Sequence, residues 1–273
     1  GLGDRFAPSN PEADARWVYT RGRSQKLSLW TVLRRGPLKM LNGVRRARQG
    51  GRSVAEAVPL PPVNDAMTLG IVNDRAANVD ADFLMPSMTR YGAEPPVKWK
   101  RIKTKMNGTY PLFRPEKGAT ASLEGGMQTL VVALEQALLR LENVTITLNA
   151  GATTPQSVAE ERNLPLSSVV WCAPLDRLPE AFTTLNVYAV GYVEGDVADV
   201  PVGYGTLIPD ASSPISGILH ESDVHGTPRA PQGHRLFRIM SPTRQTGTDD
   251  TVRAALANHL GEADPCLLYT SDA

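Results

Sequence analysis

The residues best equipped for chemistry lie late in the chain. His220, Glu221, Asp223 and His225 fall within one short stretch. Imidazoles and carboxylates at that spacing could ligate a divalent metal. In a turn after a strand, the same residues are more often simply solvated, and that reading is preferred, so no metal ligand is assigned. Arg16 leads Trp17-Val18-Tyr19, and a guanidinium fork can pair bidentately with a carboxylate. Its alternative is one more cation in a basic stretch. In Tyr204-Gly205-Thr206-Leu207, alternation would put Tyr204 and Gly205 on opposite faces. An aromatic there could stack on a flat ligand, and a glycine would let it come close. Leu207 could share the Tyr204 face, and Leu219 and Met240 could add apolar wall. Ordinary sheet core is the alternative for these three. Gly70 could line the same pocket or cap a helix. Gly125 and Gly126 open a helix where backbone could approach a cofactor, or where Ser122 simply caps it.

Motifs that would settle a reaction are missing. There is no G-x-G-x-x-G, no phosphate-binding Walker loop, no G-x-S-x-G and no C-x-x-C.

The elements that must position these residues come from apolar spacing. Met127, Leu130, Val131, Leu134, Leu138 and Leu141 recur at three and four and predict a helix with one buried face. Val144–Leu148 and Ser168–Cys172 predict two buried strands, the second stopped by Ala173-Pro174. Together they predict a layer of an α/β sheet. Arg16–Arg23 with Ser24–Leu27 predicts a hairpin. Short helices are expected from Ser53, over Asn64–Ile71, and after a capping Asp80. Period-two alternation over Thr184–Tyr192, then Gly203–Pro209, Ile215–Leu219 and His234–Met240, predicts an antiparallel sheet. Thr251–Leu260 predicts a closing helix.

The 273 residues are 41% hydrophobic and 21% charged, enough for one large or two modest domains. A net charge of +1 names no partner. The distribution is less even: Ala15–Ala55 holds eleven Arg and Lys and no acid. Lys98, Lys100, Arg101, Lys103 and Lys105 form a second basic cluster. Two cysteines, Cys172 and Cys266, make a poor disulfide framework. Cys172 is expected buried in a strand. No apolar run approaches membrane-spanning length.

Several segments, in order, resemble oxygen-dependent protoporphyrinogen oxidases of the flavin-containing amine oxidase superfamily. They are Arg16-Trp17-Val18-Tyr19, Gly70-Ile71-Val72 with Met85-Pro86-Ser87, and Ser122-Leu123-Glu124-Gly125-Gly126-Met127. Gly203-Tyr204-Gly205-Thr206-Leu207-Ile208-Pro209 and Gly217-Ile218-Leu219 with Glu221-Ser222 complete the set. Val72-Asn73-Asp74-Arg75 departs from the family pattern after Gly70. The match covers roughly residues 1–265, and only the middle of the family's chain. The N-terminal FAD fingerprint and the C-terminal segment that closes over the flavin are not matched.

The resemblance implies an α/β (α+β) fold with an incomplete FAD-binding α/β layer, a helical membrane-binding lobe and an antiparallel-sheet substrate domain. The implied boundaries are 1–10 as an FAD-domain remnant, 11–113 as the basic lobe, 114–178 as the FAD segment and 179–265 as the substrate domain. Residues 266–273 fit no family element and are expected to be an appendage. The resemblance further implies that Arg16 holds a substrate propionate. Gly70, Tyr204, Gly205, Leu207, Leu219 and Met240 would line the substrate pocket. Gly125, Gly126 and Ala152 would face FAD, Ala152 on the adenine side. No side chain is required as a general base, so no catalytic residue is assigned.

The implied activity is oxidation of protoporphyrinogen IX to protoporphyrin IX with O2, as part of haem synthesis. This segment alone is expected to be inactive. The implied setting is a peripheral membrane surface, on the cytoplasmic face in a bacterium or the mitochondrial inner membrane in a eukaryote. A homodimer is compatible and nucleic acid is not expected. Arg34, Arg35, Lys39, Arg45, Arg46 and Arg48, interleaved with Trp30, Leu33, Leu38 and Leu41, would meet anionic lipid. Two alternatives stand beside this reading. One is a related flavin enzyme acting on an amine or a carotenoid. The other is a basic membrane- or nucleic-acid-binding module without catalysis.

Overall fold

Alternation along Leu185–Val193 and His234–Pro242 decides the architecture. Tyr188, Val190 and Tyr192 are buried in alternation on the first, and Arg235, Phe237, Ile239 and Ser241 on the second, so each strand lays one face on a core. The computed structural model describes residues 2–28, 36–86, 121–151, 154–172, 185–210, 212–225, 229–242, 249–261 and 267–272. Within them the chain forms two compact units, one of residues 3–124 with 184–273 and the other of residues 125–183.

In the first unit, β1 (Phe6–Pro8) pairs antiparallel with β4 (Ala121–Leu123). A larger sheet joins β2 (Arg16–Thr20), β3 (Arg23–Lys26), β5 (Leu185–Val193), β6 (Gly205–Leu207), β7 (Gly217–Leu219), β8 (His234–Pro242) and β9 (Leu267–Asp272). Their order is β3-β2-β6-β7-β8-β5-β9. All pairs are antiparallel except β2 with β6. The expected hairpin and antiparallel sheet are therefore present, and the hairpin is a part of that sheet. The terminal residues Leu267–Asp272, which match no element of the family, pair with Asn186–Gly191.

One face of the sheet carries Tyr188, Val190, Tyr192, Ile218, Phe237 and Ile239. They pack with Val252, Leu256 and Leu260 of the Asp249–Leu260 helix. This is the main core. A second, smaller cluster joins Ala47, Val54, Ala57, Ala76, Val79 and Ala81. The predicted short helices form it. Ser53 caps Val54–Ala57 through a reciprocal box with Glu56. Asp80 caps Ala81–Leu84. The helix expected over Asn64–Ile71 spans Val63–Val72 and ends at Asn73, which takes the left-handed cap conformation at φ 53°. Gly70 is thus an interior residue of that helix and not its cap.

The second unit corrects several expectations. The helix Gln128–Leu138 forms, but none of its residues is buried. Val131, Leu134 and Leu138 are exposed. An apolar stripe becomes a core only where another surface covers it, and none does so among the described residues. Ser122 does not cap this helix. It lies buried in β4 and accepts a hydrogen bond from Arg229 Nη2. Neither Val144–Leu148 nor Ser168–Cys172 is a strand; Leu166–Ser168 is a 3-10 turn and the rest is irregular. β-branched residues favour a pleated surface only when a ladder partner exists. No partner strand occurs in this unit among the described residues. Cys172, expected buried in a strand, is exposed.

Some expectations fall outside the described residues. These are Ala152, the Leu29–Arg35 half of the first basic stretch with Trp30, Leu33 and Arg34, the Lys98–Lys105 cluster, and Cys266.

Candidate functional site

The sheet's second face is built by register. Arg16 stands opposite Gly205, Gly205 opposite Leu219, and Leu219 opposite Arg238. One row along, Leu207 stands opposite Gly217 and Gly217 opposite Met240. Register partners share a face, so these residues form a small grid. The Val63–Val72 helix supplies Val63, Met67, Gly70 and Ile71, spaced as one helical stripe. Between helix and grid lies a cavity of about 490 Å³.

All seven residues singled out in the sequence for a ligand pocket line this one cavity: Arg16, Gly70, Tyr204, Gly205, Leu207, Leu219 and Met240. Leu27, Val63, Met67, Ile71, Thr206, Gly217 and Ile218 complete the lining. On the helix side, sequence reasoning named Gly70 and missed Val63, Met67 and Ile71. Their signal was available, because positions 63, 67, 70 and 71 follow the three-and-four spacing used elsewhere to find helices.

The wall is mainly apolar and carries one cation. The Arg16 guanidinium lies 5.0 Å from the centre of the Tyr204 ring. Arg16 has no acidic partner among the described residues. At the other end of its row, Arg238 Nη2 is paired with Glu221 Oε1 at 2.9 Å. Arg16 is therefore the guanidinium available to an anion.

Tyr204 is fixed by its own backbone. Its N–H donates to Ala15 O at 2.7 Å, and its carbonyl accepts from His220 N–H at 3.2 Å. Tyr204 precedes the regular strand, and this explains why it and Leu207 both face the cavity. Strict alternation would have separated them. The role expected for Gly205 also changes. A Cβ at Gly205 would stand 2.5 Å from Ile218 O. Glycine is required there by the neighbouring strand's backbone, whether or not a ligand approaches.

His220, Glu221, Asp223 and His225 are not the solvated turn that was expected. His220 is fully buried, its Nε2 lies 3.3 Å from Thr206 Oγ1, and its Nδ1 makes a long 3.5 Å contact with Asp223 Oδ2. Asp223 Oδ2 also accepts from Arg235 Nη2 at 2.7 Å and from Gly203 N–H at 3.3 Å. Arg235 Nη1 donates to Val197 O and Val200 O. Burial alone would raise the Asp223 carboxyl, but the contacts from His220 and Arg235 outweigh it and hold it below the usual carboxylate range. His225 pairs with Glu221 at 3.2 Å. Its imidazole is nonetheless pulled down, first by burial and against the attraction of Glu221, with Arg229 and Arg238 adding to the depression. These groups brace the Val202–Tyr204 segment from behind. Among the described residues, no three His, Cys, Asp or Glu gather as metal ligands.

In the second unit, Gly125 and Gly126 take φ of 79° and 87° immediately before the helix that begins at Gln128. The helix start has no side-chain cap. Such a turn fits the approach of an anionic cofactor to bare N–H groups. By itself it is not a complete dinucleotide site.

Geometry and topology define the class first: a mixed α/β fold with a cavity between a helix and an antiparallel sheet. Solved structures share that fold across nearly the whole chain. A candidate protoporphyrinogen oxidase from Exiguobacterium sp. 255-15 matches with a TM-score of 0.57 and 12% identity, over 99% of this chain and 70% of its own. A reduced UDP-galactopyranose mutase matches at 0.54 and 12%, over 95% of this chain and 65% of its own. An oxidoreductase from Methanosarcina mazei matches at 0.50 and 10%, over 98% and 70%. The chain thus spans about two thirds of the length of these structures. No protein-family model matches the sequence, and no curated protein does.

Proposed function

We propose that this chain is the substrate-holding part of a flavin-dependent oxidoreductase that converts protoporphyrinogen IX to protoporphyrin IX. The observation that carries this reading is the cavity itself, which gathers a guanidinium with no acidic partner among the described residues, an aromatic ring and apolar walls. The fold shared with the oxidoreductases above supports the class, and the motif resemblance supports the substrate.

Each part has a task. Arg16 would bind a propionate bidentately and set the ring's orientation. Tyr204, Leu207, Leu219 and Met240 would hold a flat macrocycle and exclude water. Oxidation removes six electrons and six hydrogens in three steps, with O2 reduced to hydrogen peroxide. FAD, when bound, supplies the hydride acceptor. Gly125 and Gly126 are the described residues that would face it. The Pro37–Ala47 helix exposes Leu38 and Leu41 beside Lys39, Arg45 and Arg46, which supports attachment to an anionic membrane surface. No helix among the described residues is long and apolar enough to cross a membrane.

An amine substrate is disfavoured because, among the described residues, the cavity lining contains no carboxylate. A carotenoid would leave Arg16 without a partner.

The test is binding of protoporphyrin IX to this chain, followed by its Soret band and by quenching of tryptophan fluorescence. Saturable binding that weakens about tenfold or more in Arg16→Ala is expected, the loss of a charge-assisted contact. Absence of binding, or binding indifferent to Arg16, would overturn the reading.

A further inference from the structure

Leu207 rests in a slot made by two glycines. A Cβ placed on Gly70 would stand 2.8 Å from Leu207 Cδ2, closer than packed carbons approach. A Cβ on Gly217, the register partner of Leu207, would stand 3.8 Å from the same methyl. Gly70 belongs to the Val63–Val72 helix and Gly217 to β7, so the side chain is received on one side by helix and on another by sheet. All three residues line the cavity.

The missing side chain of Gly70 therefore serves Leu207 before it serves any ligand. With the slot open, the leucine methyl lies against the helix and leaves the cavity free. With the slot filled, the leucine must rotate out, and the cavity borders it. We infer that Gly70 and Leu207 form a width gauge: Gly70 is a positioning residue that, through Leu207, sets how wide a ligand the cavity admits. Helix propensity does not explain the glycine, since alanine would favour an interior helical position. The inference rests on the reading of this cavity as a ligand site, and the open slot admits flat, wide acids that a filled one would exclude.

Two probes separate width from charge. 1-Pyrenebutyrate is a flat aromatic acid and decanoate a narrow linear one; both offer Arg16 a carboxylate. Binding is followed by pyrene fluorescence and by calorimetry for decanoate. Gly70→Ala should weaken pyrenebutyrate by about tenfold or more, a typical cost of overpacking, and leave decanoate nearly unchanged. Gly70→Ala with Leu207→Ala should restore pyrenebutyrate. Leu207→Phe, which leaves the Gly70 backbone untouched and is too large for the slot, should reproduce the loss and keeps the test open if Gly70→Ala fails to fold. Equal weakening of both probes, or no rescue in the double variant, would overturn the gauge while leaving the proposed function intact. If the unaltered chain binds neither probe nor protoporphyrin IX, the ligand site itself is overturned, and the gauge with it.

Discussion

Two runs of β-forming residues met different fates. Thr184–Tyr192, observed as Leu185–Val193, reads as an alternating strand of an antiparallel sheet, and Val144–Leu148 as a buried strand. The first is paired on both sides, by β8 and β9, and buries Tyr188, Val190 and Tyr192. The second has no ladder, and its Ile146 and Leu148 are exposed. The two are alike in composition and differ in having neighbours. A strand is a property of the pair, so β-propensity locates candidates and the sheet decides among them.

This contrast can be broken by mutation, and the largest effect is expected in the core. Phe237 is fully buried, against Tyr192 at 6.0 Å and His220 at 5.3 Å between ring centres. Phe237→Ala should cost about 3–5 kcal/mol by urea denaturation. Val170→Ala in the second unit, at a site 86% exposed, should stay within about 0.5 kcal/mol. Comparable losses at both positions would mean that the Ser168–Cys172 run is packed after all.

The same contrast explains what the sequence could show. Sheet strands with alternating burial were legible because half their residues face a core. The short helices of the first unit were legible through Ser53 and Asp80, whose side chains cap them, while the end of Val63–Val72 at Asn73 was not. Cavity residues were legible by type and order, but their arrangement was not. Nothing local says that Gly205 is confined by Ile218 O, that Gly70 receives Leu207, or that Asp223 is bound by an arginine twelve positions away. Those facts come from register, and register is a long-range property. The second unit's helix was found by spacing, yet spacing could not say whether anything covers it.

The next effect is electrostatic. Asp223 is held ionised inside the protein by His220 and Arg235, with its carboxyl below the ordinary value of 3.8. A group whose folded pKa is depressed stabilises the fold above its unfolded pKa. That contribution disappears as pH falls from about the unfolded value through the folded one. Stability of the unaltered chain should therefore decline steeply in that acid window. Asp223→Asn should lose stability at neutral pH and show a shallower acid decline, seen by urea midpoints at several pH values. Asp223→Ala should cost more at neutral pH, about 3–5 kcal/mol, because Arg235 is left buried without its partner. An unchanged acid slope in Asp223→Asn would remove Asp223 from the account.

Two glycines on one cavity give a finer comparison. At Gly205 a Cβ meets strand backbone, Ile218 O, which cannot step aside. At Gly70 it meets the end of a leucine side chain, which can. Gly205→Ala should thus lower stability by about 1–3 kcal/mol, and Gly70→Ala by less, with its effect appearing in ligand width instead. Thermal melts beside the binding series separate them. A Gly70→Ala chain as unstable as Gly205→Ala would mean that Leu207 is not free to move.

The smallest expected effect tests the helical cluster against the sheet. Ser53 Oγ accepts from Glu56 N–H, and Glu56 Oε2 accepts from Ser53 N–H at 3.1 Å. The cluster it opens is built of alanines and valines, so little apolar area is available to offset a lost cap. Ser53→Ala should cost about 1 kcal/mol. Because this cluster and the sheet core share one unit, the loss should appear as a shift of the whole transition, with an unchanged slope against denaturant. An early separate transition would show that the Ala47–Ala81 cluster unfolds by itself, and would place the helix wall of the cavity among the parts that open before the sheet does.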